Sequence, residues 1–216
     1  MLKEYLKRTS VQIPFSRLLF LNLPFFALSF IFFIALPLFI RRHYIIEESL
    51  ASFVKIVFLF SYQFLIVPTA LCIQPKKDAD DKKPMRQIFI FSLLYGILKT
   101  LIFILHLFLF RLCFAWNQFF TFLTFFALFF VLLTSIYLPQ TIAKNVTNKK
   151  NDKASFIASF KASFAIFTSH PFFASFIFLH SLFLLFLSPI TLFLYPSLPH
   201  ILYNIRIAYE IIVADI

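Results

Sequence analysis

Two histidines lie within strongly apolar stretches of this sequence, His106 in LIFILHLFLF and His180 in FIFLHSLFLL. An ionisable side chain in hydrocarbon is unfavourable, and such residues often mark proton or substrate paths through a membrane. Imidazole changes charge near neutral pH, so a pair near the midplane is a candidate proton relay. The alternative is that each ring is neutral and bonds a nearby hydroxyl or carbonyl, which joins helices without transport.

Two cations, Lys99 and Arg111, flank His106 in the same apolar stretch. They are candidates for binding an anionic substrate or a lipid headgroup, or for a polar contact between helices. The alternative is that both lie near the ends of a span and extend their long stems to the water interface. That second interpretation needs no ligand.

Seven lysines form two clusters in polar segments of the chain, and they are candidates for contact with a partner or with anionic lipids. They are Lys76, Lys77, Lys82 and Lys83 in the first cluster, and Lys149, Lys150 and Lys153 in the second. Anionic headgroups attract such clusters, and the same clusters also orient neighbouring spans. The net charge is +11, but no nucleic-acid-binding motif accompanies it, so we expect no nucleic-acid partner.

Signatures of catalysis and of cofactor or metal binding are missing from the sequence. The chain has one glycine, Gly96, which excludes a glycine-rich phosphate loop, and it has neither HExxH nor GxSxG. Cys72 and Cys113 have no ligand-like spacing to other cysteines or histidines. We therefore expect a protein without enzymatic activity, cofactor or metal.

The composition of the chain places it among polytopic membrane proteins. Of its 216 residues 61% are hydrophobic and 36 are phenylalanine, which leaves too little polar sequence for a separate soluble domain. Backbone in lipid must bond to itself, and unbroken apolar runs favour helices over the alternating strands of a barrel. The predicted fold is thus all-α, a single membrane domain built as a helical bundle.

Five segments are long and apolar enough to cross about 30 Å of hydrocarbon. They are residues 18–40, 53–73, 94–115, 119–138 and 171–195. Amphipathic helices at the interface are predicted within residues 1–17 and, from the spacing of Phe156, Phe160, Phe164 and Phe167, over 156–168. We expect residues 201–216 to form an interfacial or partly inserted helix, with a sixth span as the alternative. Gln140 to Ser155 is predicted to be a basic loop.

Charge asymmetry predicts how the spans are oriented. Fourteen lysines and arginines fall on one side of the five predicted spans and five on the other. Positive residues favour the cytoplasmic side. We therefore expect the amino terminus to lie in the cytoplasm.

The second half of the chain resembles a known family. The run SFKASFAIFTSHPFFASFIFLHSLFLLFL, residues 159–187, is followed by the proline-rich SPITLFLYPSLPHIL, residues 188–202, and the first span carries Leu21-Asn22-Leu23 near its start. This outline is similar to that of the YesL-like small bacterial membrane proteins, although the family usually has more glycine. The resemblance implies an integral membrane protein of undefined activity, in some cases encoded beside carbohydrate transporters of the ABC type.

Two functions are compatible with these observations. The first is a non-enzymatic accessory or scaffold that associates with a membrane-protein partner, such as a carbohydrate transporter, or with further copies of itself. The second is a small oligomeric transporter or permease with a pathway through His106 and His180.

Overall fold

A computed structural model describes residues 1–9, 23, 27, 31, 48–73, 85–147, 156–187 and 198–215. Within these ranges the chain is helical and contains no strand. The helices are α1 (Leu2–Thr9), α2 (Glu48–Ile73), α3 (Met85–Trp116), α4 (Gln118–Thr134), α5 (Leu138–Thr147), α6 (Phe156–Ser169), α7 (Pro171–Leu187) and α8 (Leu198–Ala214). The all-α prediction is confirmed for the described part.

Three stretches in the described part are long and apolar enough to cross a membrane: Phe53–Ile73, Met85–Ala115 and Gln118–Val146. A fourth candidate is the pair α6 and α7, which meet at an angle of 102° as a broken span or a re-entrant loop. The chain is therefore a multi-pass membrane protein with three or four candidate spans in its described part. Of the five predicted spans, residues 18–40 lie outside the described residues apart from 23, 27 and 31.

Helices α2 and α3 pack tightly at Gly96, the only glycine of the chain. A methyl group added to Gly96 would lie 3.1 Å from the Phe60 ring and 3.3 Å from the backbone nitrogen of Phe64. Small residues allow membrane helices to pack with their backbones near each other. One glycine therefore sets the crossing of α2 and α3, although the rest of the sequence is rich in large side chains.

Proline explains two of the breaks between consecutive helices, whereas the break between α3 and α4 lies at Asn117. Pro139 has no N–H, and its ring would clash with the carbonyl four residues earlier, that of Ser135. The chain accordingly leaves the helix at Ser135, where the Leu138 N–H bonds the Ser135 carbonyl at 3.2 Å, and then continues as α5. Pro171 has the same effect on α6 and α7, because the residue before a proline disfavours the helical conformation.

The buried core lies at one end of the described structure and α8 passes through it. Along α8 the side chains of Leu202, Ile205, Ala208, Ile211 and Ile212 are buried, and the helix contacts α1, α2, α5 and α7. The helix predicted here is confirmed and its apolar side chains have the spacing of a core helix, whereas its interfacial or partly inserted position stays a prediction. With 17 residues it is not among the candidate spans.

The predicted basic loop from Gln140 to Ser155 is wrong for its first half. Helix α5 occupies residues 138–147, and Gln140, Thr141, Ile142, Ala143 and Val146 are all buried there. Lys144 is exposed, with its amine 5.4 Å from the centre of the Tyr209 ring. Lys144 is the charged residue on the exposed side of a helix whose other side is buried. Lys149, Lys150 and Lys153 lie outside the described residues, as do Lys76, Lys77, Lys82 and Lys83.

The end of α3 and most of α4 form a hairpin with no buried side chain among its described residues. Along residues 101–132, which form the second half of α3 and nearly all of α4, every described side chain is exposed or half-buried. Asn117 closes the turn, since its side-chain oxygen accepts a hydrogen bond of 2.9 Å from the Phe119 N–H at the start of α4. We call residues 101–132 the outer hairpin.

Candidate functional site

The break between α4 and α5, residues Ser135–Tyr137, is where polar side chains from several helices meet. Ser135 and Tyr137 are buried, and the carbonyls at the end of α4 need partners outside the helix. Polar groups inside a membrane protein join helices when they find such partners. We therefore take this break as the candidate functional site.

Lys99 approaches the break from α3. Its amine donates a hydrogen bond to Ser135 Oγ and lies 5.9 Å from the centre of the Tyr95 ring. The carboxyl end of a helix carries partial negative charge, which favours a cation at that place. Lys99 lies near the middle of the 32-residue helix α3, and its place near the end of the predicted span 94–115 stays a prediction.

Helix α6 contacts the break through serines. Ser163 donates a hydrogen bond of 3.1 Å to the Thr134 carbonyl, one of the unpaired carbonyls at the end of α4. Further along, Thr141 Oγ1 donates to the Ser159 carbonyl at 2.9 Å, and the Asn145 amide donates to Ser159 Oγ at 2.6 Å. These bonds fix α6 against α5 and the break.

The exposed face of α6 is its phenylalanine face. Ser159 and Ser163 are 0% exposed, whereas Phe160 and Phe164 are 41% and 44% exposed. The helix predicted over 156–168 is confirmed, whereas its place at the interface stays a prediction. Of its predicted apolar stripe, Phe160 and Phe164 are exposed, Phe156 is half-buried and Phe167 is buried. In lipid an outward phenylalanine is in a favourable solvent, so the small polar residues can form the contact between helices.

The amino-terminal helix contributes one side chain to the core. Tyr5 is fully buried, and its hydroxyl lies 2.7 Å from Nδ1 of His180 on α7. Its ring packs edge-on against Phe173, Phe176 and the His180 ring. The Tyr203 hydroxyl on α8 donates to the Arg8 carbonyl at 3.3 Å. Helix α1 is therefore docked by Tyr5, while its Leu2 and Leu6 remain about half exposed.

His106 has a different environment. Its Nδ1 is 2.7 Å from the Ile102 carbonyl on the same helix, and the ring lines a small cavity of about 60 Å³ between α3 and α4. The structure does not bring His106 and His180 together, because each contacts its own set of residues. Arg111 is exposed on the outer hairpin.

Sequence reasoning missed the contribution of Arg206. Its guanidinium donates to the Ile73 carbonyl at the end of α2, and its Nε is 2.8 Å from Glu210. The signal available beforehand was the spacing of Arg206 and Glu210, one turn apart on a helix. The contact with Ile73 joins residues 133 positions apart, which helical periodicity cannot predict.

Four buried polar atoms have no hydrogen-bond partner within the described part: Thr100 Oγ1, Tyr137 Oη, Gln140 Oε1 and Ser181 Oγ. Tyr137 belongs to the break, and Thr100 follows Lys99. Buried polar groups normally have partners, and internal water is a common one. The described residues contain no cluster of three or more histidine, cysteine or acidic side chains that could hold a metal ion.

Comparison with known proteins gave no match to a family model, to a curated protein or to a solved structure. The YesL-like resemblance therefore stays a prediction from the sequence.

Proposed function

We propose that this chain is a non-enzymatic scaffold of the bacterial inner membrane that holds a second membrane protein through its outer hairpin. In this proposal the amino terminus and the lysine clusters lie in the cytoplasm, where anionic headgroups attract them. A transporter, such as a carbohydrate transporter of the ABC type, is the partner class that the YesL-like resemblance favours.

The observation that carries the proposal is the apolar surface of the outer hairpin. On α4 the side chains of Phe119, Phe122, Phe125 and Phe126 are between 59% and 65% exposed, and on α3 Phe114 is 72% exposed. Within the outer hairpin α4 turns Thr121, Thr124, Leu128, Phe129 and Val131 toward partial burial and leaves its other described side chains exposed. Exposed apolar patches mark contact with a membrane or with another protein, and the aromatic side chains of this patch are of the type enriched in protein interfaces.

The hydrogen bonds of the polar side chains in the described part favour a scaffold function rather than a transport function. Lys99 bonds Ser135, His180 bonds Tyr5 and His106 bonds Ile102, so each of these candidates has a partner inside the protein. The cavity beside His106 is too small for a drug-sized ligand, which needs about 300 Å³ or more. The alternative, a small oligomeric permease that uses His106 and His180, has less support because the two residues are not in contact.

Site-specific photo-crosslinking in native membranes tests the scaffold. We would place benzoylphenylalanine at Phe122 or Phe126 on the outer hairpin, with Phe172, which is 91% exposed at the bend between α6 and α7, as the matched control. The expected result is one discrete heavier adduct from the hairpin positions and none from Phe172.

Co-purification in mild detergent then tests whether the crosslinked protein is a true partner. It should be recovered with the wild-type chain in a fixed ratio, and it should be lost in the double variant Phe122→Ala/Phe126→Ala but retained in Phe172→Ala. Adducts with lipid alone, or crosslinks only within the chain, would refute the scaffold proposal.

A further inference from the structure

The outer hairpin contains a small cavity whose lining is almost entirely apolar. Three phenylalanine rings, two leucines, His106 and Thr124 surround about 60 Å³ between α3 and α4. A space of about 10–15 Å³ already admits one water molecule. The cavity therefore accommodates a group larger than a single water.

The bonding of His106 fixes which of its nitrogens carries a proton. The Ile102 carbonyl oxygen, 2.7 Å from Nδ1, can only accept a hydrogen bond, so Nδ1 is the donor. In the neutral ring Nε2 is then an acceptor. Among the described residues nothing donates a hydrogen bond to Nε2.

Thr124, the other polar residue of the lining, is also left as an acceptor. Its hydroxyl hydrogen is used in a bond of 2.8 Å to the Thr121 carbonyl, so the oxygen offers lone pairs only. The two polar residues of the lining thus offer acceptors and no free donor. A ligand that satisfies them must bring an O–H or N–H group.

The rim of the cavity opens on the apolar surface of the outer hairpin. Phe103, Leu107 and Phe125 belong to the lining and are 40%, 50% and 60% exposed. A molecule that reaches the cavity passes over these side chains, so the hydrocarbon phase is the source that the geometry favours. Charged molecules are disfavoured there.

We propose that this cavity binds the hydroxyl end of an uncharged, membrane-soluble alcohol, with Nε2 of His106 accepting its hydrogen bond. The apolar chain of the alcohol lies along Phe103, Leu107 and Phe125 on the hairpin surface. This site does not depend on the scaffold proposal, because it needs no partner protein.

Nitrogen NMR of the full chain, labelled with ¹⁵N-histidine in nanodiscs, tests the site with farnesol as the probe. Farnesyl methyl ether is the matched control, since it has the same chain but no donor. The His106 signals are identified as those lost in His106→Phe. Farnesol should shift the unprotonated ring nitrogen of His106 saturably, and the ether should bind about tenfold more weakly, the equivalent of one hydrogen bond.

A second variant keeps the test decisive if His106→Phe does not fold. Leu128→Phe fills the cavity, so it should abolish the farnesol shift while the thermal unfolding temperature stays that of the wild type. The control is His200→Phe, at an exposed position on α8, which should leave the farnesol shift of His106 unchanged. No shift with farnesol, an equal shift with the ether, or a shift that survives in Leu128→Phe would each overturn the proposal.

Discussion

Lys99 donates a hydrogen bond to Ser135, so a cation in the middle of one membrane helix lies at the point where another helix breaks. The described residues offer this amine a hydroxyl, the Tyr95 ring and the end of a helix, but no carboxylate. Removing an ion from water is strongly unfavourable, and neutral partners compensate for it only in part.

We therefore expect Lys99→Met to stabilise the protein by about 1–2 kcal/mol, because replacing buried charge with packed apolar atoms is often stabilising. Thermal unfolding in detergent measures the change. The matched control is Arg111→Met, at an exposed position, which should change the free energy of unfolding by less than about 0.5 kcal/mol. If Lys99→Met is strongly destabilising, then an anionic partner holds this amine.

The crossing of α2 and α3 gives a second prediction. Gly96→Leu places a large side chain where even a methyl group would be 3.3 Å from the Phe64 backbone, and we expect a loss of about 2–3 kcal/mol because neither backbone can move aside cheaply. Ala127→Leu on the exposed side of α4 is the control and should be near neutral. Equal unfolding temperatures for the two variants would contradict this crossing.

Helix α6 gives a third prediction, based on its buried serines. Ser163→Leu removes the bond to the Thr134 carbonyl and overfills a fully buried position, so we expect a loss of more than about 2 kcal/mol. Phe164→Leu, one residue later and 44% exposed, should be tolerated within about 0.5 kcal/mol. Thermal unfolding in detergent measures both variants. A larger loss of stability in Phe164→Leu than in Ser163→Leu would place the phenylalanine face inside the protein.

The docking of α1 gives a fourth prediction, which limited trypsin digestion at Lys7 and Arg8 can measure. Tyr5→Ala removes a fully buried ring and should accelerate cleavage by about tenfold or more, the equivalent of at least about 1.4 kcal/mol of docking free energy. Tyr5→Phe loses only the bond to His180 and should have a smaller effect. Leu6→Ala, at a half-exposed position, should leave the rate unchanged; equal rates for all variants would show that Tyr5 does not anchor α1.

Alkaline pH should release the same helix. Burial raises the pKa of Tyr5 above its usual value, which is about 10. The phenol of Tyr5 therefore ionises at a lower pH when α1 is undocked than when it is docked. The docking free energy falls as the pH rises above about 10, and Tyr5 contributes no pH dependence well below that value. Fluorescence anisotropy of a dye at position 2 should fall in this range for the wild type. This fall in anisotropy should be missing in Tyr5→Phe. If it persists in that variant, a group other than Tyr5 causes the undocking of α1.

Helical structure was predictable because long apolar runs in lipid have few alternatives. The span predicted at 53–73 coincides with a candidate stretch, and those at 94–115 and 119–138 fall within longer candidate stretches. For 171–195 the described helix ends at Leu187 and reaches the length of a span only together with α6.

The polar contacts of the candidate site were beyond sequence reasoning. Lys99 and Ser135 are 36 residues apart, and Tyr5 and His180 are 175 apart, so no helical period relates them. Pro139 was a usable signal for the break, because a proline disrupts the bond to the residue four positions before it. Periodicity located α6 but could not say which face points inward, since lipid, unlike water, accepts phenylalanine outside.

The outward phenylalanines of α6 have a consequence for how the sequence can vary. Acyl chains conform to any apolar shape, so leucine, valine or isoleucine at Phe160 or Phe164 would leave the membrane contact intact. The inward serines are held to one size and one hydrogen bond each. Amino-acid substitutions during evolution should therefore be most frequent at the large apolar positions of this helix and least frequent at its small serine positions. This is the reverse of what is usual for water-soluble proteins.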